Sequence, residues 1–434
     1  MLACGLLASC QTARSVADTT FSLSNFAGMA AADEPQAVLV GRDILNAGGT
    51  ATDAAVAMAF TMTVTMPSQV SLGSAGACLV FDRGQKKVDA AVFLPRPAGD
   101  AQSLVPAMPR GLYLMHANYG HVLWSEILGP AQRIAQQGAP ASRAFIRQFA
   151  PLADDVLADP AARALFARAD GSPVDEGDPL RNPELGATIG RLALNGVGAF
   201  YAGDWSRLFI AAARQTGATF TEDDMRNFFA QSPKPVRIEY NHEVAYFAPA
   251  PAQLGRIEAD AWTHLAETYS DAAPEARAKL VADALASQPD SPVVGASLVT
   301  VDGAGSAVVC EFTLNRPFGT GKLVPGFGTY LAAPGPDVGL GIGPMLVVNE
   351  NSNEFRLGGG ASGGPSGARA MLRAAAAALL DDQPLTDAIA QLKDDDSPGR
   401  VELARCTSGY PTLRRCMAAT DPRGFGLAQS MAKR

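Results

Sequence analysis

A chain of 434 residues with 47% hydrophobic and 18% charged residues can bury one large core or two to three average ones. Its formal net charge of -8, with no basic cluster, argues against nucleic-acid binding. Four histidines, His116, His121, His242 and His264, fall at no metal-ligand spacing, and no Cys-x-x-Cys pair occurs, so neither a metal nor a cofactor is expected.

In chain order, Leu6-Leu7-Ala8-Ser9-Cys10 is similar to a bacterial lipobox, where a peptidase cuts before a cysteine that then carries lipid. This marks Cys10 as a lipidation candidate and the periplasm or cell envelope as the expected location. A frayed apolar terminus with a chance cysteine is the competing reading. Gln11 to Ala32 is small and polar and reads as a tether, which sets residues 1–32 apart from a single domain over 33–434. Pro35 opens a helix through Asn46, ended by Gly48-Gly49. Thr52 or Asp53 caps an alanine-rich helix to about Val64. Ala77 to Phe81 and Lys87 to Phe93 are strands joined by a turn at Asp82-Arg83-Gly84.

A capped helix is read from Asn182 to Tyr201, and Thr221 is read as the N-cap of another. Pro235 to Phe247 alternates like a strand. One helix, Pro274 to Ala286, fills the stretch between Gly255 and Gly295. Leu298 to Val301 and Ala307 to Thr313 form a hairpin, followed by a polar loop with Asn315 and Phe318-Gly319-Thr320-Gly321. Ala368 to Leu380 is helical, preceded by Gly363-Gly364. No stretch beyond the N-terminus is apolar and long enough to span a bilayer. In an oxidising compartment Cys406 and Cys416, flanking a short turn, are a candidate disulfide, whereas Cys78 and Cys310 read as buried small hydrophobes.

Two segments carry a resemblance. Arg42-Asp43-Ile44-Leu45-Asn46-Ala47-Gly48-Gly49-Thr50-Ala51-Thr52-Asp53-Ala54-Ala55-Val56-Ala57 resembles the pattern L-D-I-L-x-x-G-G-N-A-x-D-A-A-V-A, which opens the large subunit of the γ-glutamyltransferases. Val301-Asp302, Gly305, Ala307-Val308, Thr313, Asn315 and Phe318-Gly319-Thr320-Gly321 are similar, without a gap, to that family's T-T-H-x-S-x-V-D-x-x-G-x-A-V and T-x-N-x-x-F-G-[ST]-G, which open its small subunit. On this resemblance, residues 33–294 are large-subunit-like and 295–434 small-subunit-like. The implied fold is α/β (α+β) of the N-terminal-nucleophile hydrolase type, a four-layer αββα sandwich of two stacked sheets flanked by helices. The implied activity is cleavage or transfer of γ-glutamyl groups, as in glutathione, through self-cleavage before a threonine that then acts as base and nucleophile.

The resemblance places Gly295 where that threonine stands. It further implies Thr313 as a support for the nucleophile and Gly363 and Gly364 as the oxyanion glycines. Asn315 and Asp337 would hold a substrate ammonium, a carboxylate and an amide oxygen being suited to it. The family's carboxylate-binding arginine is replaced by Leu94. Arg96, two residues on, is the substitute candidate, with a solvated loop charge as the alternative. The serine pair expected near Gly341-Ile342-Gly343-Pro344 is absent. Three readings stay open. The first is a family member that is not self-processed and keeps a pocket for a γ-glutamyl or amino-acid-like small molecule, or serves as a partner surface. The second is an active amidohydrolase using Ser297, the nearest hydroxyl to the vacated position. The third is a structural envelope lipoprotein without ligand. The expected contacts are the small molecule and a membrane reached only through the lipid anchor, with no nucleic acid, and the sequence names no protein partner.

Overall fold

The computed structural model describes residues 26–95, 103–285, 295–335, 338–393, 398–407, 411–412 and 414–432. The lipobox with Cys10, Arg96 and Asp337 lie outside the described residues. In chain order the strands are β1 (Phe26–Ala32), β2 (Ala75–Asp82), β3 (Lys87–Phe93), the short pair β4 (Ala139–Pro140) and β5 (Pro179–Leu180), β6 (Val236–Tyr240), β7 (Glu243–Phe247), β8 (Ala296–Asp302), β9 (Ala307–Thr313), β10 (Met345–Asn349), β11 (Glu354–Ser362), β12 (Arg400–Cys406), β13 (Cys416–Thr420) and β14 (Leu427–Ala432). The helices used below are α1 (Pro35–Asn46), α2 (Ala51–Thr65), α3 (Met108–Tyr119), α4 (Trp124–Gln137), α5 (Arg143–Phe149), α6 (Pro183–Asn195), α7 (Gln253–Thr268), α8 (Pro274–Ala284) and α9 (Pro365–Leu379).

Two six-stranded antiparallel sheets form, ordered β14-β1-β8-β9-β2-β3 and β13-β12-β11-β10-β7-β6. Side chains alternate across each strand, so every strand contributes to two layers. On β8 and β9, Leu298, Val308 and Cys310 join the core under α1–α4, while Val299, Val301 and Val309 pack between the sheets. On β10 and β12, Val347, Val401 and Leu403 face α7 and α9, while Leu346, Val348 and Ala404 face the first sheet. The αββα sandwich expected from the sequence is therefore the observed architecture.

Helix α2 explains the close fit of the first outer layer. All of its residues are buried. Small side chains let it lie flat against β8 and β9, and its threonines satisfy their hydroxyls on the helix itself, Thr61 on Ala57 O at 2.8 Å and Thr63 on Phe60 O at 2.7 Å. Its N-terminus is closed by a capping box between Thr50 and Asp53, so the cap is Thr50 rather than Thr52 or Asp53.

Other expectations are corrected. The tether read up to Ala32 ends in β1, a central strand whose Met29 to Ala32 are fully buried. Its alanines and glycine carry no β-branched signal. Residues 236–247 form a hairpin, not one strand, because Asn241 and His242 both take positive φ, 41° and 67°. Between Gly255 and Gly295 two helices stand, and α7 escaped notice because Ala252 gives it no side-chain cap and its buried face carries Glu258. The helix read over Asn182–Tyr201 breaks at Gly196, φ 74°, into α6 and a short helix Val197–Tyr201.

Cys78 and Cys310, read as buried hydrophobes, are directly opposite on β2 and β9 and form a disulfide, Cα–Cα 4.1 Å. Sheet pairing, which the sequence positions do not reveal, brings residues 232 apart together. Cys406–Cys416 is a second disulfide, as expected. In denaturant without reductant, iodoacetamide should modify none of these four cysteines and should modify all four after reduction. Labelling of Cys78 or Cys310 before reduction would contradict the pairing. Replacing both by alanine should cost roughly 2–5 kcal/mol in urea unfolding, the usual loss for a native disulfide.

Candidate active site

Position 295 immediately precedes β8, on a cleft of ≈ 460 Å³ whose walls include Asp33, Gln69, Arg147, Gly363 and Arg400. Gly295 is buried, and a Cβ built on it would lie 2.6 Å from Phe312 O and 3.9 Å from Thr313 Cβ. A side chain at 295 would therefore collide with the β9 backbone. Thr313 stands beside position 295, and its hydroxyl accepts the Asn315 N–H at 2.8 Å. Asn315 has φ 66°, a conformation asparagine tolerates, which turns the chain out of β9. Its amide Nδ2 lies 2.5 Å from where a Cβ on Gly335 would be, so a side chain there would push the Asn315 amide aside. Gly363 and Gly364 have φ 93° and 57° at the start of α9, a backbone open to glycine, and Gly363 lines the cleft with Gly295.

Ser297 is not in this cleft. Strand parity points it between the sheets, where it is fully buried. The missing Cβ of Gly360 on β11 makes room for it, at 2.7 Å from Ser297 Cβ. Its hydroxyl donates to Glu402 Oε2 and its N–H to Asp33 Oδ2 at 2.9 Å. A serine enclosed on all sides and spent on a carboxyl cannot reach a ligand at Gly295, so the sequence-based expectation of a Ser297 nucleophile is corrected.

Sequence reasoning missed the carboxyls around it. Asp33, Glu402, Glu311 and Glu258 are all buried. Burial pushes Asp33 up to about 6, against the Ser297 N–H, a hydrogen bond with Glu402 and the nearby Arg400 charge. Burial, then the Asp33 charge, holds Glu402 well above the usual carboxylate range. Glu402 is thus the neutral partner, accepting from Ser297 and donating to Asp33. Burial pushes Glu311 up to about 8, although its oxygens accept the N–H groups of Gly343 and Ala361, both at 2.6 Å. Burial, then the neighbouring Glu311, holds Glu258 well above the usual carboxylate range, and neither of its oxygens finds a partner among the described residues. The signal was present as an acid inside an apolar strand, Glu311 in AVVCEFT and Glu402 in RVELARC.

Chemically the cleft offers guanidinium groups, the Asp33 carboxyl, the Gln69 and Gln148 amides, the Ser362 hydroxyl and backbone, while residue 295 itself carries no hydroxyl or thiol. The serines expected near 341–344 are absent, and Gly343 instead gives its N–H to Glu311. Leu94, in the arginine position, is half-buried.

The Gamma-glutamyltranspeptidase family model matches residues 37–286, more than half of the chain. The chain belongs to the γ-glutamyltranspeptidase family. The match stops short of Gly295, so the likeness of the 295–321 segment rests on its own residues. Among curated relatives, a glutathione hydrolase proenzyme of Pseudomonas aeruginosa is 28% identical over 257 residues, 55% of this chain and 45% of that protein. Glutathione hydrolase 7 of Bos taurus is 30% identical over 248 residues, 52% of this chain and 36% of that protein. The aligned part spans less than half the length of these relatives. Among solved structures, a cephalosporin acylase from Bacillus halodurans has TM-score 0.73 at 19% identity, covering 93% of this chain and 96% of that one. The Helicobacter pylori γ-glutamyltranspeptidase has TM-score 0.53 at 21% identity, covering 58% and 78%. At such identities the structures show a shared fold. Family and fold expectations from the sequence are both upheld.

The raised carboxyls fix the sign of the pH dependence. An acid at about 8 in the fold, and near its ordinary value of about 4.3 unfolded, holds a proton that the unfolded chain releases in between. Raising pH through that window therefore favours unfolding. The melting temperature should fall between pH 5 and pH 8, each taken as roughly the edge of the window, and Glu311→Gln should flatten the fall. A melting temperature that rises over this range, or a slope unchanged by Glu311→Gln, would refute the buried-acid account.

Proposed function

We propose that this γ-glutamyltranspeptidase-family chain binds a small carboxylate-bearing amino-acid or γ-glutamyl ligand in the Gly295 cleft, without cleaving itself and without forming an acyl-enzyme. The observation that carries the reading is the glycine at position 295, hemmed in by Phe312 O. Self-cleavage of the kind the resemblance implies needs a hydroxyl or thiol on the residue after the broken bond, to attack the preceding carbonyl. Gly295 and Ala296 supply neither. Ser297 spends its hydroxyl on Glu402.

The remaining parts of the site favour a ligand over a bare scaffold. Thr313 and Gly363 lie beside position 295 and Asn315 follows Thr313 on the same turn, which supports a ligand site there. We read the chain as one domain in which 33–294 and 295–434 correspond to the two family subunits, since β8, β9 and β14 of the second part complete a sheet begun by β1, β2 and β3 of the first. We also place it in an oxidising compartment such as the bacterial periplasm, anchored through Cys10. Two disulfides support that compartment.

Intact-mass measurement tests the central point. The purified parent should run as one chain across position 295, and so should Gly295→Thr. The added side chain must displace the β9 backbone, so Gly295→Thr should also lose roughly 1–3 kcal/mol of stability. Two fragments, the second starting at Ser297, would overturn the reading and restore Ser297 as a nucleophile.

A further inference from the structure

The second sheet ends at β6, and the turn from β6 into β7 fixes which of its main-chain groups look outward. Asn241 and His242 form a two-residue turn with positive φ, so Tyr240 and Glu243 are the closing pair that exchanges both hydrogen bonds. Alternate residues then bond to β7, namely Tyr240, Ile238 and Val236. Arg237 and Glu239 turn their N–H and C=O groups the other way. No strand pairs beyond β6 among the described residues, and none of these outward groups has a hydrogen-bond partner there. The open edge of the first sheet differs, since Gln231 exchanges two hydrogen bonds of 2.8 Å with Val92 on β3.

The two outward positions carry opposite charges. The Arg237 side chain is 41% exposed and that of Glu239 72%. Arg237 bonds to Glu350 Oε2 at 2.6 Å and reaches Glu239 along its own strand. A row of one sign would guard the edge, because like charges would meet when a second copy approached. Alternating signs do the reverse. An antiparallel second copy, related by a two-fold axis at Ile238, sets Arg237 of each chain opposite Glu239 of the other. Pro235, the next outward position, has no N–H, and Asn241 lies in the turn, so the pairing is confined to residues 237–239.

We propose that two copies of this chain associate edge to edge through β6, antiparallel and centred on Ile238, so that their second sheets become one continuous sheet. Arg237 and Glu239 of the two copies exchange main-chain hydrogen bonds, and their side chains form cross-strand ion pairs on one face. On the other face the half-buried Ile238 side chains meet at the axis. The contact is independent of the Gly295 cleft.

Sedimentation velocity of the purified chain at roughly 1–300 μM tests it, since a contact this short belongs to the weak end of interface sizes. The parent should pass from monomer to dimer over that range. Arg237→Glu and Glu239→Arg should each stay monomeric, because each sets like charges opposite one another across the axis. An equimolar mixture of the two variants should dimerise again, since every facing pair is then of opposite sign. Glu239→Arg leaves the Arg237–Glu350 pair in place, and its unchanged melting temperature shows that the fold is intact. A parent that stays monomeric throughout overturns the proposal. So do variants that dimerise as the parent does, which would put the contact on another face, and a mixture that stays monomeric.

Discussion

Strand β8 is paired on both edges, with β1 at Leu298 to Asp302 and with β9 along nearly its whole length. That double pairing leaves its residues no freedom to choose a face. Odd-numbered positions from 297 to 301 point between the sheets and even-numbered ones toward α2. A one-residue slip would exchange the two sets, exposing Leu298 to the carboxyl layer and driving Ser297 into the alanine-rich helix. Everything distinctive about the cleft follows from this constraint. Gly295 precedes the strand on the cleft, and the next hydroxyl along the chain, Ser297, is turned inward, two positions on.

The interior that receives it is unusual for a sandwich. Between sheets that otherwise pack valine and leucine lies a set of acids, and they persist because most are either neutral or hydrogen-bonded. Glu402 passes the Ser297 hydroxyl on to Asp33, and Glu311 ties the 341–344 turn and β11 together through two backbone N–H groups. The Ser297–Glu402 and Glu311–Ala361 bonds join strands of different sheets, so these acids act as polar pins across the sandwich. A half-satisfied polar layer is costly, and Glu258, with both oxygens unpartnered among the described residues, is the place where that cost is concentrated.

The sequence carried the framework well because the framework is local. Helix α1 has the predicted bounds, and β3 and β9 match residue for residue, since the glycine and turn signals that bracket them act over a few positions. The resemblance at 42–57 and 301–321 points to the family and its architecture for the same reason. What stayed hidden depends on partners far along the chain. The Cys78–Cys310 bridge requires β2 to lie beside β9. β1 looked like a tether because alanine and glycine acquire strand character only between two neighbours. Arg147 and Gln69 lie on helical or irregular segments with no motif of their own, and only the fold brings them to Gly295. Ser297 shows the opposite failure, for proximity in sequence suggested a nucleophile where strand geometry forbids one.

We propose that no covalent chemistry takes place at the Gly295 cleft. Incubation with γ-glutamyl-p-nitroanilide, followed by intact-mass analysis and by absorbance of the released nitroaniline, tests this most directly. The chain should keep its mass and release no nitroaniline above a blank. A mass gain of one γ-glutamyl group, or steady turnover lost in Ser297→Ala, would contradict it.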